Sequence, residues 1–239
     1  MKHFKALFGV ESSEIKKTCI VMPLMQKDAL HGFGIKKFAR GKLYGAGCNK
    51  DFSVISTGVG CALNGDAVLY LKETPCKNVI LFGSCGLVSS KKGLSIGSLV
   101  SPSRVYANES FSRMLLEMSI EEKIFYPDQG VLENLLKIGT KQPVKEVACA
   151  TIASLKLEED LSDLFIGKDI DVVDMECSAF FAAAHYCGFK PVALFYVSDI
   201  IKEKPFYIDF DLSLKSTLSS AAKNAADILC AFIRTNLNA

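Results

Sequence analysis

The chain has 239 residues, 49% of them apolar and 23% charged, and a formal net charge of only +2. That length buries a large core, and the composition excludes a disordered or fibrous protein. The near-neutral charge argues against a nucleic-acid partner, and no run of about 18 uncharged apolar residues marks a membrane span.

Taken in order, the first apolar run covers residues 18–22 and reads as a buried strand ended by Pro23. Lys27 and Asp28 follow in a segment expected to turn into a short helix. Gly45 to Gly47 is expected to be a turn, and residues 52–56 the next strand, running into Thr57-Gly58-Val59-Gly60. A helix is predicted over 62–73, with Pro75 beyond it. Residues 79–82 form a short strand that flows into a turn, Gly83-Ser84-Cys85-Gly86. Residues 93–100 alternate as a further strand, and 104–142 are more polar and irregular, with a helix over 131–138. Residues 144–150 are strand-like, 158–165 a short helix, and 212–237 a long closing helix with apolar residues at helical spacing. Alternating strands and helices with nearly continuous apolar strands predict a largely parallel, buried sheet. No repeat or linker interrupts the pattern, so a single domain over residues 1–239 is expected. The N-terminal segment turns charged without a signal-peptide cleavage pattern.

The most informative stretch is 170–200. Residues 170–175 are a β-branched run stopping at Glu176, residues 177–187 a small apolar helix stopped by Gly188, and 192–197 a second run ending at Ser198-Asp199. Two strands joined through one helix are expected to pair in parallel, with their carboxyl ends at one edge of the sheet. Ligands bind at that edge, so Glu176 and Asp199 should share a cleft.

Other motifs are weighed against plainer readings. Gly83-Ser84-Cys85-Gly86 offers N–H groups and a hydroxyl to an anion, or simply packs strand on helix. It lacks the spacing of a Walker loop or dinucleotide fingerprint. Thr57-Gly58-Val59-Gly60 reads first as structural. Asp174-Met175-Glu176 puts two carboxylates on one side of an extended segment, and an aspartate in a dry cleft, such as Asp199, has a raised pKa and can donate a proton. Arg40 reads as a surface arginine in a basic hairpin-like stretch, and His185 as a core histidine. No cluster has metal-ligand spacing. Nine cysteines occur without a C-x-x-C pair, and most fall in apolar runs. That usage predicts a reducing, cytoplasmic setting.

Four blocks, in order, resemble the nucleoside phosphorylase/nucleosidase superfamily, which joins purine and uridine phosphorylases with methylthioadenosine/S-adenosylhomocysteine nucleosidases. They are Met22-Pro23; Arg40-Gly41 through Gly45-x-Gly47 with Thr57-Gly58-Val59-Gly60; Gly83-Ser84-Cys85-Gly86; and Asp174-Met175-Glu176 with Ser198-Asp199. The resemblance implies an α/β fold of three layers, a central mixed barrel-like sheet flanked by helices. It implies cleavage of a nucleoside N-glycosidic bond in a homo-oligomer (dimer, trimer or hexamer), with neither cofactor nor metal and with inorganic phosphate as co-substrate in a phosphorylase. By the same resemblance Glu176 binds ribose hydroxyls, Met175 packs on the sugar, and Asp199 protonates or hydrogen-bonds N7 of a purine. Ser198 accompanies Asp199, and Cys85 and Gly86 belong with Ser84 to the substrate-binding turn. Ser84 holds phosphate, and Arg40 reaches phosphate, often in a neighbouring subunit's site.

The chain departs from the phosphorylases in carrying Leu81 where their phosphate-binding arginine falls, Leu24 for the glycine after Met-Pro, and Asp28 for a second arginine. Lys27 beside it is the substitute cation. Nucleosidases place a water-activating glutamate in this segment, where the chain has Gln26 or Lys27. Base contacts are expected from residues 104–155, with Phe125, Tyr126, Ile152 and Leu155 as candidates. The expected function is phosphorolysis of a purine nucleoside to free base and ribose 1-phosphate. The alternatives are a phosphate-independent nucleosidase and a nucleoside-binding homologue without catalysis.

Overall fold

A computed structural model describes residues 2–90, 93–117, 123–138 and 142–237. Its framework is β5 (Asn78–Leu87), a ten-residue strand that is partnered on both edges. Along one edge runs β10 (Lys190–Ile200), parallel from Lys190 opposite Asn78 to Ile200 opposite Leu87. The other edge is divided. Its first half pairs in parallel with β1 (Thr18–Met22), from Asn78 to Leu81, and its last two residues pair antiparallel with β9 (Val172–Asp174). Between Leu81 and Gly86 that edge therefore changes partner, and the sheet splits open there.

From β10 the sheet continues antiparallel to β6 (Leu99–Asn108), then in parallel to β8 (Val144–Ile152) and to β9, which returns to β5. These five strands close a mixed barrel. On the other side β1 pairs with β4 (Ser53–Ser56), then β3 (Gly45–Cys48) and β2 (Phe38–Arg40), forming a wing. A two-residue strand, β7 (Ile124–Phe125), flanks β6.

Helices cover both faces, as buried strands require. On one side lie α1 (Lys2–Phe8), α3 (Cys61–Leu71) and α7 (Cys177–Cys187), over a core that includes Phe8, Leu81, Phe180, Phe181 and Phe195. On the other lie α2 (Lys27–Gly32), α5 (Gln129–Leu136) and α8 (Leu212–Phe232), over Ile20, Phe82, Leu194 and Phe232. Two further α-helices among the described residues are α4 (Phe111–Glu117) and α6 (Ser162–Gly167). Helix ends obey local chemistry: Asp128 and Asp211 accept from the third N–H of α5 and α8, and Gly188 closes α7 at φ 74°. All nine cysteines are free thiols, and no helix among the described residues is long and apolar enough to cross a membrane.

Several expectations are corrected. Gly45 and Gly47 lie in strand β3, because a Cβ at Gly45 would stand 2.5 Å from Phe38 Cε1 and one at Gly47 only 2.7 Å from the Lys37 carbonyl. These glycines admit a close neighbour and do not make a turn. Gly83-Ser84-Cys85-Gly86 is likewise strand: the ladder with β10 continues through all four residues. The strand predicted at 93–100 starts only at Leu99 and runs on into the stretch read as irregular. The helix predicted over 158–165 is displaced to 162–167, and α1 was not foreseen. Finally, β9 and β10 do not pair. β5 lies between them, antiparallel to β9 and parallel to β10.

Candidate active site

The split in the sheet becomes a cleft of about 250 Å3. Its floor is Gly83, Ser84, Cys85 and Gly86 of β5, its walls the end of β9 and the end of β10, and its rim Leu24, Val59 and Phe206. The two ends of the stretch 170–200 do converge here, by a route different from the expected one. Because β5 separates the two strands, Val173 and Asp199 stand opposite the same residue, Gly86, one on each edge.

Asp199 owes its aim to a bulge. The register between β10 and β5 slips between Val197 and Asp199, leaving Ser198 as the extra residue. A bulge re-aims side chains that would otherwise alternate, and both Ser198 and Asp199 line the cleft. Ser198 Oγ lies 2.5 Å from Asp199 Oδ1 and 3.2 Å from the Cys85 carbonyl, and its single proton serves one of them at a time. The other carboxylate oxygen lies over Gly86, where a Cβ would come within 3.2 Å of it. Gly86 is therefore the residue that makes room for the acid. Burial raises the Asp199 pKa, and the Ser198 hydroxyl opposes the rise.

Glu176 is the N-cap position just before α7 and is 7% exposed. Its Oε1 accepts from the Gly60 N–H at 2.7 Å. Gly60 has φ 108°, a region open to glycine, so the turn Thr57-Gly58-Val59-Gly60 is the anchor of this carboxylate. Nothing in the local sequence pairs Gly60 with a residue 116 positions away. Burial, and then the charge of Asp174, push the Glu176 pKa up to about 8.

Asp174 plays another part. Beyond it the chain leaves the extended conformation, so it does not stand beside Glu176 as a second ligand carboxylate. Its Oδ1 accepts from Thr151 Oγ1 at 2.6 Å and from Cys149 Sγ at 3.5 Å, and its Oδ2 from the N–H groups of Glu176 and Cys177 at 2.8 and 2.6 Å. Burial raises its pKa against these four bonds. Its oxygens are spent on protein, capping α7 and fixing the backbone of Glu176.

Of the other expected residues, Met175, Ser84, Cys85 and Gly86 line the cleft, as do Ile152 and Leu155. Phe125 and Tyr126 do not: Phe125 packs in β7 under Lys123, and Tyr126 is exposed. Arg40 sits exposed at the end of β2, the outermost strand, and Lys27 is exposed at the start of α2; neither lines the cleft. Leu81 is fully buried within the sheet. Of Gln26 and Lys27, it is Gln26 that turns inward, donating through Nε2 to the Tyr196 hydroxyl, which Ser84 also meets. One residue was missed entirely. Glu158 is 3% exposed, lines the cleft, and has its pKa raised to about 7 by burial and then by the charge of Asp199. It lies in an irregular segment before α6, where no periodicity separates a buried acid from a surface one.

Four carboxyl groups with raised pKa values therefore line one cleft, Asp174 with its oxygens already bonded to the protein, and among the described residues lining it none is lysine or arginine. Chemically this is a site whose burial holds its carboxyl groups toward the protonated form.

The closed mixed barrel between two helical layers, with a cleft where the central strand changes partner, defines a phosphorylase-like fold. A model of the phosphorylase superfamily matches residues 21–234, and the chain belongs to that superfamily. Solved structures agree on the fold. A 5′-methylthioadenosine/S-adenosylhomocysteine nucleosidase from Helicobacter pylori, with butyl-thio-DADMe-Immucillin-A, superposes with a TM-score of 0.74 at 15% identity, covering 92% of this chain and 98% of that one. The corresponding enzyme from Neisseria meningitidis, with methylthio-immucillin-A, gives 0.71 at 18% identity, covering 92% and 100%. Futalosine hydrolase of Helicobacter pylori gives 0.72 at 13%, covering 92% and 98%. No curated protein sequence matches the chain.

Proposed function

We propose that the protein hydrolyses the N-glycosidic bond of a purine nucleoside, releasing the free base and the free sugar. The observation that supports water over phosphate is the lining of the cleft, which is rich in carboxyl groups and without a cation among its described residues. A dianion recognised by forked or point positive charges is poorly matched to such walls. The solved structures named above are of hydrolytic nucleosidases and a hydrolase, which points the same way.

Each side chain then has a task. Glu176, held by Gly60, accepts from the ribose hydroxyls and favours the positive charge that builds on the sugar as the C1′–N bond stretches. Met175 packs against the sugar. Asp199, protonated, gives its proton to a ring nitrogen of the departing base, which takes the electron pair of the broken bond. Water bonds to C1′, and the proton it sheds restores the acid. Ser84, beside Gln26 and Tyr196, supplies the polar floor on which that water is oriented. The reaction needs neither metal nor organic cofactor.

A second reading, phosphorolysis, rests on Arg40. Its exposed place at the outer edge of the sheet suits a residue that completes a neighbouring subunit's cleft in a homo-oligomer. Release of base from adenosine, inosine and methylthioadenosine, with and without phosphate, separates the two. Equal release in both conditions, with the free sugar (ribose, or methylthioribose from methylthioadenosine) as product, is the expected result. A strict phosphate requirement with ribose 1-phosphate as product would reverse the choice, and binding without release would sink both.

A further inference from the structure

We propose that Asn64 is a positioning residue for Glu176, acting through the turn between β4 and α3, and that it thereby sets how strongly the cleft prefers a ribonucleoside over its 2′-deoxy form. This deepens the hydrolytic reading and rests on it for the assignment of Glu176 to the sugar hydroxyls. The starting observation is a polar side chain out of place. The buried residues of α3 are Asn64, Ala67, Val68 and Leu71, and Asn64 alone among them is polar. It is fully buried, and its Oδ1 has no hydrogen-bond partner among the described residues. A buried amide oxygen left unpaired is a cost to stability, so the packing of the helix does not account for this residue.

Geometry says what the amide does. Its Nδ2 donates to Thr57 Oγ1 at 3.3 Å, and the backbone N–H of the same residue donates to the Gly60 carbonyl at 3.1 Å. Asn64 thus grips the turn Thr57-Gly58-Val59-Gly60 at its first residue and at its last. Gly58 and Gly60 stand at φ 85° and 108°, and glycine has the most backbone freedom to lose, so this turn depends on being held. Thr57 is tied on its other side, its N–H to the Met22 carbonyl at 3.1 Å and its hydroxyl to the Gly58 carbonyl at 2.9 Å.

What the turn presents is the Gly60 N–H, the donor to Glu176 Oε1. The next residue, Cys61, donates from Sγ to the Met175 carbonyl at 3.1 Å, so the start of α3 is joined twice to the junction between β9 and α7. A hydrogen bond weakens steeply with misalignment, and freedom at Gly60 therefore becomes freedom at the carboxylate. A ribose offers that carboxylate two neighbouring hydroxyls, and the second bond forms only when the carboxylate is held at the right angle. A 2′-deoxyribose offers one fewer and demands less.

The test uses carbocyclic adenosine and its 2′-deoxy form, whose link to the base is not glycosidic, so that calorimetric binding is read without turnover. The proteins are the wild type, Asn64→Leu, Thr57→Val, Glu176→Gln and the double variant Asn64→Leu/Glu176→Gln. The ratio of the two affinities should fall roughly 3- to 10-fold in Asn64→Leu and in Thr57→Val, the worth of one ordinary hydrogen bond. In Glu176→Gln the ratio should already be low, and adding Asn64→Leu should lower it no further. A folded Asn64→Leu with the wild-type ratio overturns the proposal, as does an equal loss for both ligands or full additivity with Glu176→Gln. Should Asn64→Leu fail to fold, Thr57→Val decides by the same ratio. Equal binding of both ligands by the wild type, unchanged in Glu176→Gln, would refute the assignment of Glu176 to the sugar and this proposal with it, a result distinct from the others.

Discussion

Asp199 and Glu176 show how little of a site resides in residue type. Both are acids at the end of an apolar run, yet one is placed by a bulge and the other by a glycine N–H from across the sheet. The Asp199 carboxyl is kept in a small dry space between Gly86 and Ser198, and its raised pKa makes it a proton donor nearer to neutral pH. Replacing it by asparagine preserves shape and the acceptor for Ser198 while removing the proton. Cleavage of a purine nucleoside should then fall by about 10²- to 10⁴-fold, the usual worth of general acid catalysis, with the melting temperature within a few degrees of the wild type. Steady-state kcat at saturating substrate is the measurement. Unchanged turnover would move the acid elsewhere, with Glu158 the next group to test.

At the scale of elements, Asp174 is where fold and site are joined. Its four acceptor contacts tie β9 to β8 through Thr151 and Cys149, and to α7 through two N–H groups. Asp174→Ala leaves those N–H groups and the Thr151 hydroxyl without their partner, in a region closed to water. A loss of roughly 2–4 kcal/mol in unfolding free energy follows, read by urea denaturation, together with weaker nucleoside binding as the Glu176 backbone loosens. A variant with wild-type stability would mean that the cap is replaceable by solvent. The local sequence suggested Asp174 and Glu176 as a matched pair, because alternation in a strand sets residues two apart on one face. The strand ends at Asp174, so the rule stops applying at the residue where it was needed. The helix from Cys177 to Cys187 was legible to the residue, since an apolar run bounded by a glycine leaves few alternatives. The order of strands was not, because a short strand such as β9 carries no mark of which neighbour it will take. Glu176 and Asp199 were correctly brought to one cleft, although the parallel pairing invoked for them is replaced by an intervening strand. The bond from Gly60 to Glu176 and the place of Glu158 in the cleft were not foreseen for a common reason: each depends on a long-range contact that no local pattern announces.

For the whole molecule, gathering four buried acids around one cleft has a cost that depends on pH. Glu158 and Glu176 rise from an ordinary 4.5 to about 7 and about 8, and Asp199 also moves upward, with burial the first cause in each. The native state therefore holds protons that the unfolded chain has already released. Under linkage, stability falls with pH wherever the native state binds more protons. Below about pH 4.5 the groups are protonated in both states and add no penalty. As pH rises the unfolded chain ionises first, and the penalty grows until the native groups ionise near pH 7 to 8, beyond which it is constant. Solvent entering the open cleft screens part of it, leaving on the order of 3 kcal/mol for the two glutamates together. The melting temperature of the wild type should thus decline between pH 5 and pH 8, and that of Glu158→Gln/Glu176→Gln should decline distinctly less, the two curves separating most at the alkaline end. Parallel curves would show that the cleft is wetter than its geometry implies and that these acids ionise at ordinary pH. The tolerated instability also fits a binding site. A ligand whose hydroxyls donate to Glu176 supplies what the protein withholds from that carboxylate, so a bound purine nucleoside should raise the melting temperature more at pH 8 than at pH 5.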